Sequence, residues 1–494
     1  MASRAAGVAV AEDKTSSCEV FVLIVQWMFI VRQEWQGWRR RRITRFAPGL
    51  LAVLAVLGLM VSQARGQSPA PPTARHVLVI SVDGLGASWL TAPPPNLRIP
   101  NIRRLQAEGS YAEGVVGVYP SVTYPSHTTL VTGRLPAEHG IYSNLSSREP
   151  GKNPDDWFWN ASAIKVPALW DEVRRHGLTS AAISWPATVG AAIDWDVPEV
   201  WDPKTGEAVD YQYIAKFSTA GLISEAMTAL GPPEAGADDD TVRGRIAAYL
   251  LKKYKPNLML VHLAALDEAE HNHGPASAQA AATLERLDTR IGKLLAAVQA
   301  AGLENSTDVF IVSDHGFLPV ERQIRPNVLL VKAGLLQADD KGQITGGKIA
   351  TLASGGTFFI YWPESQNLRA EVDAALKPLR DEGVVWGVLN REALADIGAE
   401  PAVQMALEAP SGASFGDGAK GEVVRKEAEP GGTHGYLPFR KGLESSFIAW
   451  GPSIKKGVNL HHIPMTAIGP TILKALGIEN PRFGAQPPLA DIFK

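Results

Sequence analysis

Cysteine is nearly absent: the 494-residue chain has one, Cys18, close to its start. The rest of the chain therefore offers no disulfide, no thiolate metal site and no cysteine nucleophile, so a metal ion would have to be held by histidine and carboxylate. An excess of positive charge is missing too. With 48 basic and 51 acidic residues, a formal charge of −3 and a pI near 6.4, the chain has no field for neutralising a long run of phosphates, which argues against extended nucleic-acid binding. Histidine is scarce at 11 residues, and no internal repeat is visible. Apolar residues make up 45% of the chain and charged ones 20%, enough for one large domain with insertions or for two domains.

Near the N-terminus, "RRRRITRF" (39–46) precedes the apolar "APGLLAVLAVLGLMV" (47–61) and then "SQARGQ", with small residues at Ala64 and Gly66. The apolar part is shorter than the roughly 20 residues of a spanning helix, and the basic, apolar, small-residue order is that of a secretory signal. Residues 1–66 are thus expected to be an N-terminal extension and signal peptide cut near Gly66, with Met28 the more ordinary start. Left uncut, the segment would act as an anchor. After processing the protein is expected to be exported, periplasmic or secreted, with no stable membrane span and with stability drawn from core size.

"QSPAPPTAR" (67–75) has the composition of an exposed linker. Beyond it, "HVLVISVD" (76–83), "SAAISW" (180–185), "NLMLVHLAALD" (257–267), "DVFIVSD" (308–314), "GTFFIYW" (356–362) and "SFIAW" (446–450) are continuous apolar runs, which fit strands buried on both faces of a mostly parallel sheet. Between them, "PNIRRLQAEG", "PALWDEVRRHG", "DTVRGRIAAYLLKKY" and "SAQAAATLERLDTRIGKLLAAVQAAG" have helical spacing. In the last, Leu284, Leu287, Ile291, Leu294 and Val298 share one face and Gly302 stops the helix. This alternation predicts a doubly wound α/β fold. Residues 405–433, rich in Gly, Ala and Glu, are expected to be loop.

Three of the expected strands end in carboxylates: Asp83, Asp267, and Asp314 with His315 beside it. Ligands of open α/β sheets sit outside the carboxyl ends of the strands, so residues far apart in sequence can converge there. "DEAEHNHG" places His271 four residues after Asp267, and "GGTHGY" sets His434 in a glycine-rich loop that permits close backbone approach. Together these side chains form an oxygen and nitrogen donor set suited to Zn²⁺ or another divalent transition metal. In "SVTYPSHTTLVTG" (121–133), Thr123 precedes a run expected to begin a helix near Pro125; it could be a cap or a nucleophile.

With these motifs in order from about His76 to "MTAIGPTILKALGI" (465–478), the sequence resembles the type I phosphodiesterase/nucleotide pyrophosphatase group of the alkaline phosphatase superfamily. The resemblance implies an alkaline phosphatase-like catalytic domain over 76–494, a doubly wound and mostly parallel sheet flanked by helices. Inserted loops or a small cap are expected, with about 320–430 partly insertion. It implies two Zn²⁺, one held by Asp83, Thr123, Asp314 and His315, the other by Asp267, His271 and His434, with Thr123 the nucleophile and Asn144 a donor to a phosphoryl oxygen. Such a cation lowers the pKa of bound water from about 15.7 to about 7, and a similar fall would make the threonine hydroxyl reactive; a second cation would stabilise the leaving oxygen.

Tyr124 and Trp157 could stack a nucleobase or enclose an alkyl leaving group. The implied reaction is cleavage of a phosphodiester or nucleotide pyrophosphate bond in a small substrate through a threonyl-phosphate. A phosphomonoesterase with the same metals, or an inactive exported metal-binding homologue, is the alternative. In the family an asparagine often follows the aromatic-proline pair, where this chain has Ser126. Glu268 and Glu270 stand where small or neutral residues are common and are expected to be solvated, while His262, His273, His461 and His462 are assigned to packing or surface.

Overall fold

The computed structural model describes residues 76–146, 157–202, 210–233 and 237–494, so the extension, signal and linker expected over 1–75 lie outside the described residues. Successive side chains of "HVLVISV" point to opposite faces. Leu78, Ile80 and Val82 enter one apolar cluster; Val77 and Val79 enter another. A strand apolar on both faces must be covered on both, and this one, β1 (His76–Val82), is an interior strand of an eight-stranded sheet. The others are β2 (Ser110–Tyr111), β3 (Ser180–Ile183), β4 (Trp195–Val197), β5 (Leu258–Leu263), β6 (Thr307–Val312), β7 (Phe447–Trp450) and β8 (Val458–Asn459). Their order is β8-β2-β7-β6-β1-β5-β3-β4. Strands β6, β1, β5, β3 and β4 run parallel, and β7 is antiparallel to β6.

Helices cover both faces, as the alternating pattern predicts. On the side of Leu78 and Ile80 lie α1 (Pro100–Glu108), α4 (Asp239–Tyr254) and α6 (Ala278–Ala300); on the side of Val77 and Val79 lie α2 (Thr123–Thr132), α3 (Leu169–Arg175) and α7 (Ile468–Ala475). A short helix, α5 (Ala265–His273), follows β5. Helix α6 buries Leu284, Leu287, Ile291, Leu294 and Val298, starts with the Ala280 N–H donating to Ser277 Oγ, and ends as Gly302 turns left-handed at φ 71°.

Two expectations are corrected. The run "GTFFIYW" does not join the parallel sheet: Thr357–Tyr361 lies between Ala350–Ser354 and Met405–Glu408 in a separate antiparallel sheet completed by Gly387–Asn390. Phe358 and Ile360 are buried in one cluster and Phe359 and Tyr361 in another, so the run is apolar on both faces, and periodicity cannot say to which sheet such a strand belongs. Residues 405–433 are not loop. They hold Met405–Glu408, Gly412–Phe415 and Val424–Thr433, the last two flanking Leu318–Ile324 in a three-stranded sheet. Pairing with that earlier strand overrides the weak strand propensity of glycine and glutamate. No helix among the described residues is long and apolar enough to cross a membrane.

Candidate active site

The parallel strands deliver polar residues to one edge. Asp83 follows β1, and Asp314 and His315 follow β6. Asp267 differs from expectation: β5 stops at Leu263, and Asp267 sits in the first turn of α5. The four-residue spacing to His271 then places both on one helix face. His434 follows the strand Val424–Thr433, and its loop lies against the turn between Ala350–Ser354 and Thr357–Tyr361. There the Gly356 N–H donates to the His434 carbonyl at 2.8 Å, and a Cβ on Gly355 would fall 2.0 Å from that oxygen.

Asp267, His271 and His434 form one cluster, with donor atoms within 4.8 Å of one another. His271 Nδ1 donates to the Gly432 carbonyl and His434 Nδ1 to the Ser121 carbonyl, each at 3.0 Å. Carbonyls only accept, so each ring donates through Nδ1 and turns its Nε2 toward the other ring. The two Nε2 atoms meet at 3.2 Å, each 3.5 Å from an Asp267 oxygen. Two imidazole nitrogens and a carboxylate converge there, a donor set that suits a shared cation. Burial and the neighbouring His315 and His271 rings hold the His434 pKa well below its ordinary value.

Asp83, His315 and Asp267 form the second cluster, also within 4.8 Å. Asp267 thus belongs to both. His315 Nε2 lies 3.4 Å from Asp83 Oδ1 and 3.0 Å from Asp314 Oδ2, and the His315 ring stacks on His434 with centroids 3.7 Å apart. Asp83 Oδ1, Asp267 Oδ1, Asp314 Oδ2 and both His315 nitrogens are buried without a hydrogen-bond partner. Such groups are costly unless paired or metal-bound, so the donor set fits divalent cations. Burial foremost, then the charges of Asp314 and Asp267, push the Asp83 carboxyl well above its usual range.

Thr123 is the first residue of α2, slightly ahead of the expected start at Pro125, and is only 8% exposed. Its carbonyl accepts from His127 Nδ1 at 2.9 Å, while His127 Nε2 accepts from Ser81 Oγ at 2.8 Å and Nδ1 lies 3.7 Å from Asp314 Oδ2. Burial foremost, with the adjacent His262, lowers the His127 pKa to about 4, in keeping with a neutral ring. The Tyr124 N–H donates to Asn144 Oδ1 at 3.0 Å, which leaves the amide nitrogen as that side chain's donor. Tyr124 packs against Trp157 with centroids 5.3 Å apart.

Three residues near these clusters escaped the sequence reading. His262, assigned to packing, is fully buried and joins Asp83 Oδ2 at 3.0 Å and Glu199 Oε2 at 3.1 Å. Burial opposes its charge, but the Glu199 and Asp83 carboxylates hold its pKa well above the ordinary value. Glu270, expected in solvent, is buried: it accepts from Trp89 Nε1 at 3.0 Å, and burial raises its pKa to about 8. Glu268, His273, His461 and His462 are exposed, as expected. His127 was not singled out, although its place four residues after Thr123 on a helix was a usable signal.

A mostly parallel, doubly covered sheet with acid and imidazole clusters at its carboxyl edge defines an alkaline phosphatase-like α/β protein, and solved structures share the fold. Human ectonucleotide pyrophosphatase/phosphodiesterase 5 matches with a TM-score of 0.61 at 19% identity, over 85% of this chain and 100% of that one. An inactive variant of the murine counterpart, in complex with AMP, matches with a TM-score of 0.62 at 19% identity and the same coverage. Residues 77–437 match the family described as type I phosphodiesterase / nucleotide pyrophosphatase, and the chain belongs to it. Among its relatives, ectonucleotide pyrophosphatase/phosphodiesterase family member 3 of Mus musculus is 25% identical over 49% of this chain and 24% of that one. Venom phosphodiesterase of Macrovipera lebetinus is 22% identical over 80% of this chain and 42% of that one. The match thus spans less than half the length of either relative.

Proposed function

We propose that this protein is an exported, metal-dependent hydrolase that cleaves phosphodiester or nucleotide pyrophosphate bonds in small substrates through a threonyl-phosphate. Residues 76–494 form the catalytic domain in this reading, with about 320–430 partly insertion. The observation that carries the metal assignment is the convergence of His271 Nε2 and His434 Nε2, 3.2 Å apart, on the Asp267 carboxylate, each ring anchored through Nδ1 to a carbonyl. Asp267, His271 and His434 would hold one cation, and Asp83, Thr123, Asp314 and His315 the other. Zn²⁺ suits the mixed donors, which also accept Mn²⁺, Fe²⁺ or Co²⁺. Bound there, such cations supply a lowered pKa for an oxygen ligand and charge to offset the leaving oxygen.

The Thr123 oxygen attacks phosphorus and releases its proton to solvent, a Thr–O–P bond forms, and the bond to the leaving alcohol or phosphate breaks, the leaving oxygen taking up a proton from solvent. Water then cleaves Thr–O–P and restores the hydroxyl, its second proton going to solvent. Helix α2 begins at Thr123, so its free N–H groups favour negative charge at this point. Asn144 Nδ2 donates to a non-bridging phosphoryl oxygen, held for that by the Tyr124 N–H on its Oδ1. Tyr124 is fully buried against Trp157, so of the two rings the half-buried Trp157 is the one that would flank the substrate's organic group. The AMP complex of the murine neighbour supports a small nucleotide as one such substrate.

The Thr123→Ala variant should lose turnover by about 10³-fold or more while keeping about two cations per chain by elemental analysis. Unchanged turnover would remove the threonine from the mechanism. Comparing kcat/KM for bis-p-nitrophenyl phosphate, a nucleoside monophosphate p-nitrophenyl ester and p-nitrophenyl phosphate should show preference for the diesters. Preference for the last would make the protein a monoesterase.

A further inference from the structure

His262 occupies a place where an aliphatic residue would be expected. It lies on interior strand β5, paired with Ser81 of β1, and its neighbours on the same face, Leu258 and Leu260, are core residues. Instead an imidazole with no solvent exposure is set between two carboxylates: Nε2 meets Asp83 Oδ2 at 3.0 Å, and Nδ1 meets Glu199 Oε2 at 3.1 Å and the Ser184 carbonyl at 2.9 Å. Nδ1 faces two acceptors, the Ser184 carbonyl and a Glu199 oxygen, so the ring is anchored there and turns Nε2 onto Asp83. Ser184 itself has φ 54°, a conformation non-glycine residues avoid, and its carbonyl is one of those acceptors. A buried polar trio of this kind is seldom more stable than well-packed aliphatic side chains of the same volume, so stability alone does not account for it.

The order of the strands shows what the trio joins. Glu199 follows β4, Ser184 follows β3, His262 is on β5, and Asp83 follows β1. Contacts therefore run along the carboxyl edge of the sheet from Glu199 through His262 to Asp83 and on to His315, whose Nε2 is 3.4 Å from Asp83 Oδ1. One Asp83 oxygen is engaged from behind. The other is buried without a hydrogen bond, on the side of His315.

We propose that His262, backed by Glu199, is a positioning residue that fixes the Asp83 carboxylate so that Oδ1 is presented to a cation. The inference rests on the two-cation reading above. Outer partners of metal-binding side chains typically change metal affinity by about 10- to 100-fold when removed. Glu199 orients the ring, and the Ser184 carbonyl shares that task, so loss of Glu199 should cost less than loss of His262.

The test uses the full protein loaded with Zn²⁺, with affinity measured by chelator competition and the ligand field followed by Co²⁺ absorption. His262→Phe should weaken one of the two cations by about 10- to 100-fold, leave the other unchanged and alter the Co²⁺ spectrum. His262→Gln, whose amide can still donate to Asp83, should recover most of that affinity, and Glu199→Ala should fall between the two. If His262→Phe fails to fold, His262→Gln and Glu199→Ala decide. Affinity unchanged at both sites in folded variants, or equal loss in the Phe and Gln variants, would overturn the proposal while leaving the two-cation reading intact. Wild-type protein that takes up fewer than two Zn²⁺ would overturn both.

Discussion

Gly84 shows how narrowly a single residue can be specified at this site. It follows Asp83 with φ 76°, donates its N–H to Asp314 Oδ1 at 3.2 Å, and a Cβ there would lie 2.8 Å from Phe317 and 2.9 Å from Glu270 Oε2. Left-handed backbone and lack of room act together, so Gly84→Ala should destabilise the fold by about 2 kcal/mol, measured by denaturant unfolding. A loss below about 0.5 kcal/mol would mean that the turn can relax. Ser126 makes a different point. Its hydroxyl is buried without a partner on α2, and nothing in the structure explains that choice of residue.

Among the elements, α5 carries the most polar chemistry for its length and depends on another helix for its start. Its N-cap position is Ala264, which has no side-chain acceptor; instead Asp240 of α4 accepts from the Ala264 and Ala265 N–H groups at 3.1 and 2.8 Å. Asp240 also pairs at 2.9 Å with Arg243, which is itself 9% exposed. Asp240→Ala would leave the first amides of α5 without their acceptor and Arg243 without this partner. The expected cost is about 3 to 5 kcal/mol in equilibrium unfolding, with cation affinity weakened at the Asp267, His271 and His434 cluster in whatever folds. Full affinity there would show that α5 holds its place by packing alone.

At the scale of the whole molecule, the candidate donors come from segments between residues 83 and 434, so binding them together should stabilise the folded chain. Each cation at 100 times its Kd contributes about 2.7 kcal/mol. Removal with a chelator should therefore lower the melting temperature by several degrees in scanning calorimetry, and added Zn²⁺ should restore it; an unchanged Tm would count against bound cations. Much of this organisation was legible in advance. Runs such as "HVLVISV" and "DVFIVSD" are apolar without interruption because helices cover both faces, and α6 wrote its buried stripe and its end plainly. What could not be read depends on distant partners: the second sheet, the strands within 405–433, the burial of Glu270 under Trp89, and the pairing of His262 with Asp83. A histidine or glutamate looks the same in a sequence whether its neighbour across the sheet is water or a carboxylate.

Ser121 bears a load that its modest size conceals. Its carbonyl takes the His434 ring and the Gly435 amide, and its hydroxyl donates to the Tyr436 carbonyl, all a short step along the backbone from Thr123. The backbone at position 123 and the far imidazole are thereby joined by a short tether as well as through the large sheet. In the proposed mechanism, one small residue would thus keep the attacking oxygen and the far cation at a fixed separation.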